Sequence, residues 1–414
     1  TPSQYFPDTE IVLDMAVLSD AVYHLRKKVG SCNTTLAHSL DYETANGNEA
    51  RFRRIRRVRR EMLRAGGGDG ETTEAQDVFN LLLPEGAECL HYSHDYSLGT
   101  QVLVVRSNIH KYVAVVYAGT DDWKTTLQDG EMLTGEFGPD PTDEISPLFE
   151  GVPEGAHVHR GFNSAVFDSD SFHTILDCVA SARLGGSCDG NDGAGIDEDP
   201  PSSPYQLFTT GHSLGAADSV LLGATLHLTY PDEATRSINF GCPKVGNAKW
   251  SFWADSLQPD NGGQTPAGRT TSSTDGDGGN KGGGSSGGSF EIFRFVNKID
   301  LIPRLPDLIV YAHAGHTIQM SVGGGIKAYY DHVGNDNLGY AGVPFGWEAG
   351  AFALLPFAVA SHSSSHYVNY LADYRPDSGP DLNSSDVGSY VDGFERVEYV
   401  FDRTKDRGRK SSYA

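Results

Sequence analysis

Residues 205–230 read YQLFTTGHSLGAADSVLLGATLHLTY. The uncharged run YQLFTT (205–210) has the composition of a buried strand, and SLGAADSVLLGATLHLTY (213–230) that of a helix. Between them stands Gly211-His212-Ser213-Leu214-Gly215, the pattern GxSxG. A pentapeptide is a weak signal alone, but a strand running directly into it and a helix running directly out supply the context the motif needs. The turn between them is tight enough to force strained backbone angles on Ser213. Glycines at 211 and 215 remove side chains that would clash with the neighbouring helix and strand. Ser213 then sits at a helix N-terminus, where the dipole favours developing negative charge. Ser213 is therefore a candidate nucleophile.

Outward from this stretch the pattern continues. MAVLSDAVYHLRKK (15–28) reads as a helix, and ECLHYSHDY, TQVLVVRS and KYVAVVYAG within 88–119 as a meander of three strands. SFHTILDCVASARL (171–184) is helical, while SINFG (237–241) and FEIFRFVN (290–297) are strands. Such alternation implies an α/β fold, a largely parallel buried sheet with crossover helices.

A serine nucleophile needs a base, and the base an orienter. The strand ending at Asn297 leads into NKIDLIPRLP (297–306), which puts Asp300 just past a strand's carboxyl end, where reactive groups collect in open α/β sheets. For an isolated Asp, a turn cap before Pro303 is the competing reading. His362 and His366 in SHSSSHYVNYL are the candidate bases. Their i,i+4 spacing also suits a metal pair, but no third ligand accompanies it. His313 and His316 lie too close to Asp300 to be first choices.

The full chain has 414 residues and a formal charge of -23. That balance argues against nucleic acid as the partner, because phosphates would be repelled. No apolar run reaches the length of a spanning helix. The five cysteines are too few and too scattered for a disulfide scaffold, and no CxxC or HExxH pair supports zinc. No cofactor or metal is implied. The chain starts at Thr1, and Asn33 and Asn383 lie in Asn-x-Ser/Thr sequons, which are common by chance; the compartment stays open, with a secreted or organellar protein after removal of a targeting segment as one reading.

Charge is unevenly spread. RFRRIRRVRREMLR (51–64) holds eight arginines and one glutamate, so the remainder carries 24 basic and 54 acidic residues. Phe52, Ile55, Val58, Met62 and Leu63 form a stripe on this helix. It suits either peripheral contact with an anionic lipid surface or docking on the acidic body. Segments 185–204 and 256–289 are Gly-rich insertions that cannot bury enough apolar surface to order themselves. Neither has the spacing of an EF-hand loop.

Taken together and in order, the motifs resemble the class 3 lipases, the fungal- and plant-type lipase family. VVYAGTDDW (115–123) is similar to the family's oxyanion strand, HVHRGFNSAV (157–166) to its H-x-GF element and TTGHSLGAA (209–217) to its elbow. INFGCPKVGN (238–247) is similar to FG-x-P-x-VGN, and NKIDLIPRLP to the aspartate segment. The resemblance implies an α/β-hydrolase fold, with a mostly parallel central sheet flanked by helices. Residues 1–374 would form one domain that includes helix 51–64 and both insertions, and 375–414 a C-terminal extension. It implies Ser213 as nucleophile, Asp300 as orienter, and as base His366, which precedes a Tyr/Leu-containing helix, with His362 as the alternative. Thr120 and Leu214 would form the oxyanion hole. Ala118 departs from the family's usual arginine, and Ala216 from a common second glycine.

The segment after Thr120 corresponds to the family's lid, with Trp123 and Leu127 at i,i+4 as acyl-binding candidates. AGAFALLPFAVA (349–360) is too short to span a bilayer and suits an acyl-pocket wall. These features favour a lipid or ester substrate taken at a lipid–water interface, most simply triacylglycerol. A phospholipase A1 or galactolipase on the same fold is the alternative, favoured by the basic helix. A non-catalytic binding module of hydrolase fold would have no need of Ser213, Asp300 and His366 together.

Overall fold

The structure is a computed structural model. It describes residues 8–24, 83–119, 134–188, 203–259, 288–297, 300, 302–306, 311–320, 326–330, 362–364, 367–368 and 371. The basic helix 51–64, the apolar stretch 349–360, residues 375–414, most of both insertions, and Thr120, Trp123, Leu127 and His366 lie outside the described residues.

Eight strands form the main sheet in the order β1-β2-β3-β6-β7-β9-β11-β12. They are β1 (Ala87–Asp95), β2 (Thr100–Ser107), β3 (Tyr112–Tyr117), β6 (Gln206–His212), β7 (Thr235–Phe240), β9 (Phe290–Asn297), β11 (His316–Met320) and β12 (Ile326–Tyr330). β1, β2 and β3 pair antiparallel, the expected meander, and β11 pairs antiparallel with β12. Between them β3, β6, β7, β9 and β11 run parallel. All residues of β3 and β9 are buried, as strands covered on both faces require; β3 is an apolar run, whereas β9 also buries Glu291, Arg294 and Asn297. This is the α/β-hydrolase fold, a mostly parallel sheet flanked by helices.

Helices cover both faces. On one lies α1 (Thr9–Ala21), with Val12, Met15 and Leu18 packed on the sheet beside Tyr367, Val368 and Leu371 of the C-terminal segment. On the other lie α2 (Arg160–Phe167), α3 (Phe172–Ala182), α4 (Leu214–Thr229) and α5 (Ala248–Ser256). Every residue of α4 from Leu214 to His227 is buried, so this helix is apolar nearly all round, as its sequence suggests. A helix so placed cannot shift without uncovering core side chains, each contributing about 1.5–3 kcal/mol. Among the described residues no helix is long and apolar enough to cross a membrane.

A second, four-stranded sheet joins β10 (Tyr311–Ala312), β8 (Gly246–Asn247), β5 (His157–His159) and β4 (Thr134–Glu136). Its strands have two or three residues each, too few for alternation to show in a sequence.

The cysteines correct one expectation. Cys178 is joined to Cys188, and Cys89 is disulfide-bonded as well. The Cys178–Cys188 bond ties α3 to the start of the 185–204 insertion. The sequence separation is 10, and closing a loop of that size stabilises by about 3 kcal/mol in the chain-entropy model. Scattered positions in sequence say nothing of such proximity. Cys242 is a free, buried thiol.

Candidate active site

The site lies at the carboxyl ends of the parallel strands, where β6, β7 and β9 end side by side. Ser213 follows β6 and has φ 61° and ψ −130°, a left-handed backbone in a non-glycine residue. Such a conformation costs about 1–3 kcal/mol and persists only where the surroundings enforce it. Here two contacts do so. A Cβ on Gly215 would stand 2.5 Å from the Tyr117 carbonyl oxygen, and one on Gly211 would strike the Gly215 carbonyl. The Ser213 N–H donates to the Phe240 carbonyl at 3.0 Å, pinning the turn to the end of β7. Ser213 leads straight into α4. Leu214 is the helix's first residue, and an N–H at that position has no intrahelical acceptor.

Asp300 is fully buried beyond β9 and gathers three donors. The Ile302 N–H reaches its Oδ1 at 2.9 Å, and the Tyr367 hydroxyl donates to Oδ2 at 2.6 Å. His362 Nδ1 lies 2.7 Å from the same Oδ2. Because the carboxylate accepts there, Nδ1 carries the proton and Nε2 presents a lone pair. The partner of Asp300 is thus His362, the second of the two histidines weighed from sequence. His366, the first choice from sequence, lies outside the described residues, so the structure brings only His362 to Asp300. The imidazole that meets the aspartate comes from the turn before the C-terminal helix, and that helix sends Tyr367 to the same carboxylate.

Gly241 lies between the elements. It has φ +63°, and its N–H donates to Phe295 at 2.9 Å. A Cβ there would be 3.0 Å from both Asp300 Oδ2 and His362 Cε1. The chain from Phe240 to Gly241 therefore touches the serine's backbone on one side and the Asp300–His362 pair on the other. Ser213 Oγ and His362 Nε2 are both buried, and neither has a hydrogen-bond partner among the described residues. Catalytic hydrogen bonds often tighten only when substrate is present.

Two further buried groups flank the elbow. His212 is held well below the ordinary imidazole range, first by burial and then by the neighbouring His362. Asp218, one turn into α4, is pushed well above the carboxylate range by burial, and its Oδ1 has no hydrogen-bond partner among the described residues. His313, placed second to the C-terminal histidines, is also buried, with Nε2 2.6 Å from the Pro303 carbonyl.

Residues 114–309 match the family model described as Lipase (class 3). This part of the chain is similar to the class 3 lipases. Relatives include a lipase of Rhizopus niveus, 24% identical over 162 residues, which are 38% of this chain and 33% of that protein. A secreted mono- and diacylglycerol lipase of Malassezia globosa is 24% identical over 198 residues, covering 43% of this chain and 57% of that one. The chain thus spans between one third and just over half of the length of these relatives. Among solved structures, it is similar to the nonglycosylated LIP2 lipase of Yarrowia lipolytica, with a TM-score of 0.47, 15% identity, and coverage of 79% of this chain and 86% of that one. A lipase from Rhizopus microsporus var. chinensis gives a TM-score of 0.41 at 17% identity, over 76% and 93% of the two chains. The motifs from the oxyanion strand to the aspartate segment fall inside the class 3 lipase match, and His362 lies beyond its end.

Tyr367, Gly241, Tyr23 and the ring of His212 were not singled out from sequence. Tyr367 and Gly241 stand inside quoted motifs, so the signal was present. Tyr23 had none.

Proposed function

We propose that the protein is a serine carboxylester hydrolase that cleaves long-chain acyl glycerides, most simply triacylglycerol, with Ser213 as nucleophile, His362 as general base and Asp300 as its orienter. The observation that carries this is the Asp300–His362 pair at 2.7 Å, beside a strained, buried serine whose hydroxyl has no partner among the described residues. His362 Nε2 takes the Ser213 proton as the oxygen attacks the ester carbonyl. The oxyanion that forms is held by the Leu214 N–H at the head of α4 and by Thr120. Asp300 stabilises the imidazolium, which returns its proton to the leaving alcohol. Water, activated by the same imidazole, then hydrolyses the acyl-enzyme.

The match to the class 3 lipase model and the acylglycerol lipase among the relatives support a glyceride substrate, with contact at a lipid–water interface. Trp123 and Leu127 are proposed to line the acyl site. The oxidised cysteines support an oxidising compartment, consistent with secretion. A phospholipase A1 or galactolipase activity is the second reading, favoured by the eight arginines of 51–64.

The test is a panel of triacylglycerol, phosphatidylcholine and galactolipid, with a soluble short-chain ester as reference, run on wild type and Ser213→Ala. Hydrolysis of triacylglycerol in preference to the polar lipids, abolished in Ser213→Ala, is expected. Undiminished turnover by the variant overturns the nucleophile. Activity confined to the short soluble ester overturns the lipase reading.

A further inference from the structure

α1 lies against the site as well as the core. Ser19 Oγ is 2.9 Å from Thr210 Oγ1 on β6, and Asp20 Oδ1 accepts from Ser364 Oγ at 2.6 Å, two residues beyond His362. The short helical turn after α1 then brings Tyr23 to the elbow. Its hydroxyl accepts from the Gly119 N–H at 3.0 Å and lies 2.9 Å from His212 Nδ1. On the other side of that ring, His212 Nε2 is 2.5 Å from the backbone carbonyl of His362.

The ends of this series fix its direction. The His362 carbonyl can only accept, so His212 Nε2 carries a proton. In the neutral imidazole Nδ1 then offers a lone pair, and the Tyr23 hydroxyl must donate to it. A second contact, from the hydroxyl to the His212 carbonyl, is longer at 3.3 Å. The Tyr23 oxygen is left to accept from Gly119, an amide that can only donate. The packing is close throughout: a Cβ on Gly119 would collide with the Tyr23 hydroxyl and lie 3.0 Å from Ser213 Cβ.

We propose that Tyr23 and His212 are positioning residues, joined in one directional chain from the Gly119 N–H through the Tyr23 hydroxyl and the His212 ring to the His362 carbonyl, which fixes the oxyanion strand and the base-bearing turn on either side of Ser213. Gly119 immediately precedes Thr120 in sequence, and His362 carries the base, so one chain of three bonds sets both halves of the machinery relative to the elbow. The inference rests on the proposed serine hydrolase reading. Hydrogen bonds in such a chain reinforce one another, so breaking any link weakens the rest.

The experiment measures kcat and KM on a soluble short-chain ester for wild type, Ser213→Ala, Tyr23→Phe, His212→Gln, His212→Leu and the double variant Tyr23→Phe/His212→Gln. Displacement of a reacting group by about 1 Å costs about 100-fold, so a chain loosened by a few tenths of an ångström should lower kcat about tenfold with KM unchanged. His212→Gln keeps a donor toward the His362 carbonyl but has no acceptor at the Nδ1 position that meets Tyr23, its own oxygen lying one bond further out, and should match Tyr23→Phe. The double variant should be no slower than His212→Gln, because the first broken link already costs what the second would. His212→Leu should be slower again, by about tenfold. Unchanged kcat in Tyr23→Phe, or losses that multiply in the double variant, overturn the chain. If His212→Leu fails to fold, the other three variants still decide. A fully active Ser213→Ala overturns the hydrolase reading and the chain with it. An inactive Ser213→Ala beside an unimpaired Tyr23→Phe overturns the chain alone.

Discussion

Gly241→Ala tests the packing around the Asp300–His362 pair. Two costs can be worked from the structure. The backbone at 241 has φ +63°, and an L-residue in the left-handed region costs about 1–2 kcal/mol, which appears in the stability of the fold. The new methyl would also lie 3.0 Å from Asp300 Oδ2, 3.0 Å from His362 Cε1 and 3.1 Å from His362 Nδ1. Ordinary contact for a carbon atom begins near 3.5 Å, so one or both side chains must move by roughly half an ångström. Asp300 is held by Ile302 and Tyr367 as well, while the imidazole has no other side-chain bond among those described, so the ring should give way. With about 100-fold lost per ångström of misplacement, a shift of that size should lower kcat about tenfold. Steady-state hydrolysis of a soluble short-chain ester reads the second cost, and urea unfolding the first. KM should hold, because the methyl points at the pair. A variant that loses stability but keeps full kcat would refute the reasoning, since it would show that the imidazole beside Gly241 is not the one that moves the proton.

Tyr367→Phe removes a donor from Asp300 Oδ2 and the acceptor of the Asn297 N–H at 3.1 Å, leaving both buried groups short of a partner. Unfolding experiments should show a loss of about 1–3 kcal/mol, with kcat reduced as Asp300 becomes less firmly oriented. Asp218, raised in the folded state, contributes stability that is complete below the unfolded value of 3.8 and is lost as pH rises toward the folded value. That loss is about 1.4 kcal/mol per pH unit within the window, so Asp218→Asn should flatten the pH dependence of the urea midpoint above pH 4. His212, lowered in the folded state, works oppositely: its contribution is complete above the unfolded value of 6.5 and is lost as pH falls below it. Replacing Cys178 and Cys188 together by Ala should cost about 3 kcal/mol of stability while leaving kcat nearly unchanged, because the bond joins α3 to the loop after it and involves none of Ser213, Asp300 and His362.

Much of this was legible in the sequence because long buried strands and an all-round apolar helix announce themselves locally. β3, β6, β7 and β9 and helix α4 fall where their stretches rich in buried apolar residues place them. β8 and β10, with two residues each, are defined only by their partners and carry no periodicity of their own. The same distinction runs through the site. Ser213 and Asp300 stand at the ends of recognisable strands, whereas the choice between His362 and His366 depends on how a turn and a helix pack against β9. Two histidines four residues apart look alike until that packing is known. Tyr23 is 189 residues from His212, and nothing in its helix signals a partner so distant. Gly241 lay within the quoted INFGCPKVGN motif, but the reason for a glycine there is the Asp300–His362 pair pressed against it.

Mass mapping of covalent labelling by a fluorophosphonate, in wild type and in His362→Ala and His366→Ala, bears most directly on the nucleophile and its base. A single adduct on Ser213 is expected in wild type, lost in His362→Ala and retained in His366→Ala. An adduct on any other residue, or labelling of Ser213 that survives His362→Ala at the wild-type rate, would contradict the assignment of Ser213, His362 and Asp300 as the working triad.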